Sequence, residues 1–264
     1  MFKQNLNESY DKLMFSPEVE EYYGNTDFCN WGYWLESTAS QKEASENLME
    51  KLLAFISKKE GTILDVACGK GASTQYLLKY YSAENITGIN ISENQLERCR
   101  ENAPDCTFTL MNATRMQFEN DTFDNIICVE SAFHFNTRKS FFEEAFRVLK
   151  PGGRLVLSDI LFTQYAHEIG SNLPIDNWIE DPDAYRHLAI RLGFRKVQVV
   201  DATLECHYRH ERYHSNYMLE KTASGQHNLK TFQFLRLRRL FRIMCTRYYI
   251  LAVMMKPVEN GWAQ

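Results

Sequence analysis

The sequence predicts an α/β protein built on a doubly wound, mainly parallel β-sheet. Between Thr62 and Leu161, short apolar runs that suit buried strands alternate with helical segments, and this alternation indicates a parallel sheet. The first strand also breaks into Gly69 and Gly71 before the chain re-enters a helix. Such a turn lets the backbone approach a ligand and leaves free N–H groups at the helix start. We therefore expect a nucleotide-type site there.

Length, composition and charge limit the possible classes of protein. The 264 residues, 44% of them hydrophobic and 24% charged, suit one large domain or a domain with a lid. A net charge of -4 provides no basic field for nucleic acid. No apolar run suits a membrane span, and the first residues lack the apolar core of a signal peptide. The odd number of cysteines, which include Cys68, Cys99, Cys106 and Cys128, suggests reduced thiols in a cytoplasmic protein.

The elements can be assigned in chain order. Residues 1–39 are rich in aromatic side chains with little periodicity, and they form either a packed extension or a flap that closes over a ligand. Residues 40–56 form a helix, because Ser40 and Glu43 have the spacing of a capping box. The following strands are expected at 63–66, 86–91, 106–111, 123–129 and 154–160, and the helices between them at 73–80, 92–102 and 141–149.

The last third of the sequence differs in character from the core. A helix at 183–192 precedes a strand at 197–200, and a final strand is expected at 248–255. The segments 162–181 and 204–244 are long insertions that suit a lid. The chain therefore divides into an N-terminal flap (1–39), a ligand-binding core (40–161), and the lid with the completion of the sheet (162–264).

Five segments in register resemble the class I S-adenosylmethionine-dependent methyltransferases, over residues 61–161. The segments are 65–71, 88–96, 112–124, 130–135 and 149–153. In narrower terms the chain resembles small-molecule O-methyltransferases of natural-product pathways, such as those that act on sugars and polyketides. This resemblance implies a Rossmann-like sheet of seven strands with the last one antiparallel. It also implies S-adenosylmethionine as the cofactor, and methyl transfer to a small molecule, in the first place a hydroxyl of a secondary metabolite.

The resemblance also implies which residues hold the methyl donor. They are Asp65, Ala67, Gly69, Gly71, Asn90, Ile91, Gln95, Asn112, Ala113 and Glu130. Ala67 stands where the family often has a glycine, and Asn90 and Asn112 stand where many members carry acids. An amide oxygen can still accept a hydrogen bond from the ribose or the adenine amino group. The alternative for Asn90 is a simple turn residue.

Aromatic side chains of the N-terminal segment are candidates for contact with the donor sulfonium. Tyr10, Tyr33 and Trp34 could each supply a cation–π contact of roughly 0.5–2 kcal/mol. The sequence Gly32-Tyr33-Trp34 resembles a segment that lies over the donor in related enzymes. Simple packing is the alternative for each of these side chains.

An alcohol acceptor must lose its proton during methyl transfer, which requires a base. His134 follows the fourth strand, and Asp159 ends the fifth strand at the same edge of the sheet. In the sugar O-methyltransferases that the chain resembles, a histidine and an aspartate in these segments have the base role. We therefore expect His134 as the base and Asp159 as its partner, with Glu130 as a second acid or a substrate contact. A histidine that only lines the pocket is the alternative.

Two clusters near the end of the chain have competing interpretations. Cys206, His207, His210 and His214 suggest a metal site, but a lid with incidental histidines is favoured, and no metal is expected. The arginines of the helical segment 229–244 suggest the solvated face of a packed helix. They could also contact an acidic partner such as a carrier protein, and a homodimer is open as well. These arginines are Arg236, Arg238, Arg239 and Arg242.

Three other functions compete with O-methylation. The protein could methylate nitrogen or carbon, or it could bind the donor without catalysis as a regulator or assembly partner. An NAD-dependent oxidoreductase is disfavoured, because Thr74 stands where the dinucleotide fingerprint has its third glycine.

Overall fold

The computed structural model describes residues 2–168, 173–226 and 229–258. Within these ranges the chain forms seven strands: β1 (Ile63–Val66), β2 (Ile86–Asn90), β3 (Thr107–Leu110), β4 (Phe123–Val129), β5 (Leu149–Phe162), β6 (Arg195–Asp201) and β7 (Thr246–Met255). The helices that precede β4 are α1 (Phe2–Met14), α2 (Pro17–Tyr22), α3 (Gln41–Leu53), α4 (Ala72–Leu77) and α5 (Glu93–Asn102). The later helices are α6 (Arg138–Val148), α7 (Gln164–Glu168), α8 (Pro182–Arg191), α9 (Arg209–Ala223) and α10 (Leu229–Cys245).

All seven strands lie in one sheet, in the order β3-β2-β1-β4-β5-β7-β6. The first five strands pair in parallel, and β7 runs antiparallel to β5 and to β6. The expected seven-stranded sheet with an antiparallel last strand is therefore confirmed. Because β1 and β4 lie next to each other at its centre, their carboxyl ends meet at the point where the strand order reverses, which is where doubly wound folds bind ligands.

Helices cover both faces of the sheet, as alternating strands and helices require. Leu64 and Val66 of β1 point to the face covered by α6 and α8, where Phe141 and Tyr185 are fully buried. Ile63 points to the opposite face, which α3 and α4 cover. The four residues of β1 are all buried, and this explains why the strand is a continuous apolar run apart from Asp65.

The helix starts follow their capping signals closely. The Ser40 hydroxyl oxygen accepts a hydrogen bond from the N–H of Glu43 at 3.2 Å. The Glu43 carboxylate reaches back to the N–H of Ala39 at 2.9 Å, so the predicted capping box forms with its return bond one residue earlier. Ser92 caps α5 in the same way, accepting from the N–H of Gln95 at 3.3 Å.

The main departure from expectation is the N-terminal segment, where two helices, α1 and α2, occur. The inward side of α1 carries Asn7, Tyr10 and Met14, which line a cavity. Because this side is partly polar, α1 lacks the apolar stripe that normally identifies a helix in a sequence.

The long insertion between β6 and β7 is also helical and contains α9 and α10. Glu211 of α9 is buried, and it pairs with Arg242 at 2.8 Å and with Arg239 at 3.3 Å. The interpretation of these two arginines as a solvated face is therefore wrong, and the side chain of Arg238 lies outside the described residues. Several apolar side chains of α10 are exposed instead, namely Leu237, Leu240, Phe241 and Met244.

All seven cysteines are free thiols. Among the described helices, none is both long enough and apolar enough to cross a lipid bilayer.

Candidate active site

A cavity of about 510 Å³ lies at the carboxyl ends of β1, β2 and β4. Its floor is the turn after β1, and part of its wall comes from α1 and from residues 27–30. The N-terminal segment therefore borders this cavity, and its role as a flap over a ligand stays a prediction.

The turn after β1 brings backbone to the cavity. Ala67 and Gly69 line it with φ angles of 58° and 56°, so Ala67 adopts the left-handed conformation in which a glycine is the usual residue. Gly71 lies outside the cavity lining. A Cβ at Gly71 would lie 2.9 Å from the Cα of Cys99, so this glycine allows α4 to pack against α5.

Asp65 supports this turn from below. Its Oδ2 accepts hydrogen bonds from the hydroxyls of Ser73 at 2.6 Å and Thr74 at 2.7 Å, which fixes the first turn of α4. Burial raises the pKa of the Asp65 carboxyl to about 6. Its Oδ1 is buried and has no hydrogen-bond partner among the described residues.

Asn90 ends β2, and three hydrogen bonds fix its side-chain amide. Its Oδ1 accepts from the N–H of Ile91 at 2.7 Å. Its Nδ2 donates to Gln95 Oε1 at 2.8 Å and to the carbonyl of Gly69 at 3.1 Å. All four residues line the cavity, so the amide connects the turn after β1 to the start of α5.

The loop after β3 contributes Met111, Asn112 and Ala113 to the lining. The Asn112 Oδ1 accepts from both the N–H and the hydroxyl of Thr114 at 3.0 Å. The side chain of Asn112 therefore shapes the loop after β3, while it also faces the cavity.

The expected positions of Tyr33 and Trp34 are wrong, because neither side chain is part of the cavity lining. The indole N–H of Trp34 donates to the carbonyl of Trp31 at 2.8 Å, and its ring lies 4.3 Å from the ring of Tyr213. The Tyr33 ring lies under the ammonium of Lys51. Both aromatic rings thus pack against the protein, which was the alternative to a contact with the donor sulfonium.

The cavity wall where Tyr33 and Trp34 were expected is formed by residues that precede them in the chain. Phe28, Cys29 and Asn30 line it, and the Oδ1 of buried Asn30 has no hydrogen-bond partner among the described residues. A buried acceptor without a partner is costly, so this atom suits a ligand with an N–H group.

Tyr10 and His134 meet inside the cavity. The Tyr10 hydroxyl lies 2.5 Å from Nε2 of His134, and the two rings are close to perpendicular. Burial raises the pKa of Tyr10 far above the neutral range, so the phenol keeps its proton at neutral pH. His134 lies on the 3-10 turn Ala132–His134 that follows β4.

Asp159 does not pair with His134 as expected. Its carboxylate is fully buried and accepts from Arg138 at 2.7 and 3.2 Å, and from the hydroxyl of Tyr185 at 3.0 Å. It also lies outside the cavity lining. The physical reason is charge, since buried Arg138 requires a carboxylate partner. Asp159 therefore fastens α6 and α8 to β5.

Glu130 faces the cavity from the end of β4. Its Oε1 accepts from the N–H of Trp31 at 2.7 Å and from the hydroxyl of Tyr249 at 2.5 Å. Burial raises the pKa of the carboxyl to about 8. Glu130 therefore joins the N-terminal segment to β7, and it is mostly protonated at neutral pH.

Sequence reasoning missed most of the N-terminal contribution to the site. Asn7, Tyr10, Asp11 and Met14 share one face of α1, and their spacing of three, four and seven residues was a usable helical signal. The Nδ2 of Asn7 donates to the carbonyl of Ile91 at 2.9 Å. No local signal identifies Asn30 or Tyr249, because their roles depend on contacts far along the chain.

In the cluster of Cys206, His207, His210 and His214, which suggested a metal site, two of the histidine rings pack against an aromatic ring. Trp31 stacks on His210 at 5.5 Å and on His207 at 5.2 Å between ring centres. Burial lowers the pKa of both imidazoles. Among the described residues, no group of three or more His, Cys, Asp or Glu side chains is arranged to hold a metal ion.

Comparison with known proteins decides the family. A family model described as a methyltransferase domain matches residues 64–157. Erythromycin 3''-O-methyltransferase of Saccharopolyspora erythraea is 31% identical over 212 residues, which cover 71% of this chain and 69% of the relative.

The chain belongs to the class I S-adenosylmethionine-dependent methyltransferases.

Further comparisons agree with this assignment. Methyltransferase GfsG of Streptomyces halstedii is 29% identical to this methyltransferase over 214 residues, covering 72% of this chain and 77% of the relative. The fold matches the crystal structure of a putative sarcosine dimethylglycine methyltransferase from Galdieria sulphuraria. That match has a TM-score of 0.75 at 16% identity and covers 94% of this chain and 98% of the other. The cofactor of this methyltransferase is S-adenosylmethionine.

Proposed function

We propose that this methyltransferase transfers the methyl group to a hydroxyl of a small, largely apolar acceptor, with His134 as the base. One observation carries the proposal. A hydroxyl, that of Tyr10, lies 2.5 Å from Nε2 of His134 in the cavity that also contains the turn after β1. The phenol marks the place from which a hydroxyl proton can pass to the imidazole.

The residues around the cavity fit S-adenosylmethionine. The unpartnered Oδ1 of Asn30 suits the donor's amino group, and the Oδ1 of Asn90 suits a ribose hydroxyl. Apolar Ile91, Met111 and Ala113 form a suitable wall for the adenine ring. The bound cofactor supplies a methyl group on a positively charged sulfur.

The protein's own part in the reaction is alignment and proton transfer. Methyl transfer to oxygen is a displacement at carbon, and alignment of two bound reactants supplies much of the acceleration. The oxygen becomes a better nucleophile as its proton moves to Nε2 of His134. A positioned base of this kind contributes about 10²–10⁴-fold.

The acceptor side of the cavity is mainly apolar. Phe135 and Pro174 lie near His134 in the lining, and Ile175 beside Pro174 is exposed. These side chains favour an acceptor with a hydrophobic body and one reacting hydroxyl. The name of the relative from Saccharopolyspora erythraea, a 3''-O-methyltransferase, supports oxygen as the acceptor atom.

The proposal is tested by the substitution His134→Ala. We expect turnover of a hydroxyl acceptor, found in a mass-spectrometric screen for the gain of one methyl group, to fall by about 10²-fold or more. Calorimetric affinity for S-adenosylhomocysteine should stay unchanged. His187→Ala, an exposed histidine on α8, is the matched control. Unchanged turnover in His134→Ala, with unchanged donor affinity, would remove His134 from the base role.

The same experiment separates the alternatives. A neutral amine needs no base, so N-methylation predicts that His134→Ala costs little. The Glu130 carboxyl is mostly protonated at neutral pH, and it therefore offers little negative charge to attract a cationic amine. Donor binding without turnover on a broad hydroxyl library would favour a non-catalytic assembly protein. A carrier protein or a second copy of the chain as partner is tested by turnover on carrier-bound acceptors and by the mass in solution.

A further inference from the structure

We propose that Asp11 is a positioning residue for the methyl donor, and that it acts through Gln95 to set the orientation of the Asn90 amide. Asp11 lies on α1 and outside the cavity lining, whereas Gln95 and Asn90 line the cavity. This inference rests on the donor half of the proposed function. It does not depend on His134 or on the nature of the acceptor.

The Asp11 carboxylate is held at the start of α5 by three side chains. Its Oδ1 accepts from the hydroxyl of Ser92 at 2.8 Å and from Nε2 of Gln95 at 2.7 Å. Its Oδ2 accepts from Nδ2 of Asn94 at 2.9 Å. A negative charge at this position is also favoured by the dipole of α5.

The carboxylate fixes the direction of the whole chain of hydrogen bonds. An ionised carboxylate can only accept, so Gln95 must turn its NH₂ group to Asp11 and its Oε1 to Asn90. Asn90 must then turn its own NH₂ group to Gln95, at 2.8 Å. The second hydrogen of that group bonds to the carbonyl of Gly69 at 3.1 Å.

This direction decides what Asn90 can offer to a ligand. Both hydrogens of its NH₂ group are in use, and one lone pair of Oδ1 accepts from the N–H of Ile91. The remaining capacity of the side chain is the second lone pair of Oδ1. Asn90 therefore presents an acceptor, as a carboxylate would, and an acceptor is what a ribose hydroxyl requires.

The test is a double-mutant cycle read by calorimetric titration with S-adenosylhomocysteine. In Asp11→Ala the Gln95 amide is released, and we expect the dissociation constant to rise about tenfold, as for the loss of one hydrogen bond between Asn90 and the ligand. Asp11→Asn keeps an oxygen that can accept from Gln95, so it should retain most of the affinity. Glu8→Ala, an exposed residue of the same helix, is the matched control.

The decisive comparison uses the Asn90→Asp background. A carboxylate at position 90 accepts in either orientation, and released Gln95 can turn its NH₂ group to it. Asp11→Ala should therefore cost less than about twofold in that background, or even improve affinity. An equal cost in both backgrounds would mean that Asp11 only docks α1, and no cost in the native background would also overturn the inference. Failure of the native protein to bind S-adenosylhomocysteine would instead contradict the proposed function.

Discussion

One carboxyl oxygen of Glu130 accepts two hydrogen bonds, and the carboxyl remains protonated near neutral pH. Its pKa of about 8, compared with an ordinary value of 4.5, results mainly from burial. Between these two values the folded protein binds a proton that the unfolded chain has released. Stability must therefore fall as the pH rises through this window.

The substitution Glu130→Gln should remove this part of the pH dependence. Between about pH 6.5 and 8, the native protein should lose unfolding free energy relative to the variant, by at most about 1.4 kcal/mol per pH unit. The measurement is urea unfolding without ligand across this range. The window lies above the raised pKa of Asp65, which is about 6, so that group contributes little to the slope.

Glu144→Gln is the control, because ion pairing with Arg147 lowers the pKa of Glu144. It should shift the stability at every pH without changing the slope above pH 6.5. Equal slopes for the native protein and Glu130→Gln would show that Glu130 is ionised in the folded state.

Side chains that depend on local sequence were well predicted, and those that depend on distant partners were not. Ala67, Gly69, Asn90 and Gln95 lie at the cavity as expected, because the turn after β1 and the junction between β2 and α5 both lie at the carboxyl edge of the sheet. Asp159 lies at the expected edge of the sheet, but its partner is Arg138. Which of two candidate partners a buried carboxylate binds is decided by three-dimensional proximity, which spacing along the chain does not encode.

Among the elements, the contact between α4 and α5 determines the shape of the turn after β1. Gly71 is the N-cap residue of α4, has a φ angle of 89° and lies against Cys99 of α5. A side chain at Gly71 would meet backbone, which cannot rotate away. The two helices would then have to separate.

Gly71→Ala should therefore destabilise the protein by about 2–4 kcal/mol, since it adds backbone strain to a steric clash. It should also weaken the binding of S-adenosylhomocysteine, because the turn before α4 lines the cavity. Gly225→Ala is the matched control, with a φ angle of 77° and no atom within 4 Å of the added Cβ. The control should cost about 1 kcal/mol. Equal losses for the two variants would show that the contact with α5 can relax.

Strands and helices with a clear apolar pattern or an N-cap residue were identified from the sequence, whereas elements that line the cavity were harder to recognise. The strand at 123–129 has the predicted bounds, and α3 has its predicted cap. The first helix was missed because its inner face binds polar groups around the cavity. A functional surface of this kind disrupts the apolar pattern from which helices are recognised.

At the scale of the whole molecule, one buried ion pair joins three elements. Arg138 comes from α6, Asp159 from β5 and Tyr185 from α8. Arg138 also donates to the carbonyls of Asn177 and Ile160. The pair therefore ties α6, α8 and the segment around Asn177 to the sheet.

Asp159→Ala should lower the unfolding free energy by about 3–5 kcal/mol, because it leaves a buried arginine without a counter-charge. Turnover per folded molecule should change far less than in His134→Ala. Glu143→Ala, which breaks an exposed pair with Lys139, is the control and should cost less than about 1 kcal/mol. Full stability with abolished turnover in Asp159→Ala, or in the milder Asp159→Asn, would restore the catalytic role expected from the sequence.

The strand order also limits the order in which the strands can pair while the chain is being synthesised. Strand β7 lies between β5 and β6 in the sheet but follows both in the chain. During synthesis β5 and β6 therefore each keep an unpaired edge until β7 has been made. The hydroxyl that bonds to Glu130 belongs to Tyr249 and arrives with this late strand. The five parallel strands can assemble before β7 is made, but Glu130 receives this hydrogen bond only after β7 has been synthesised.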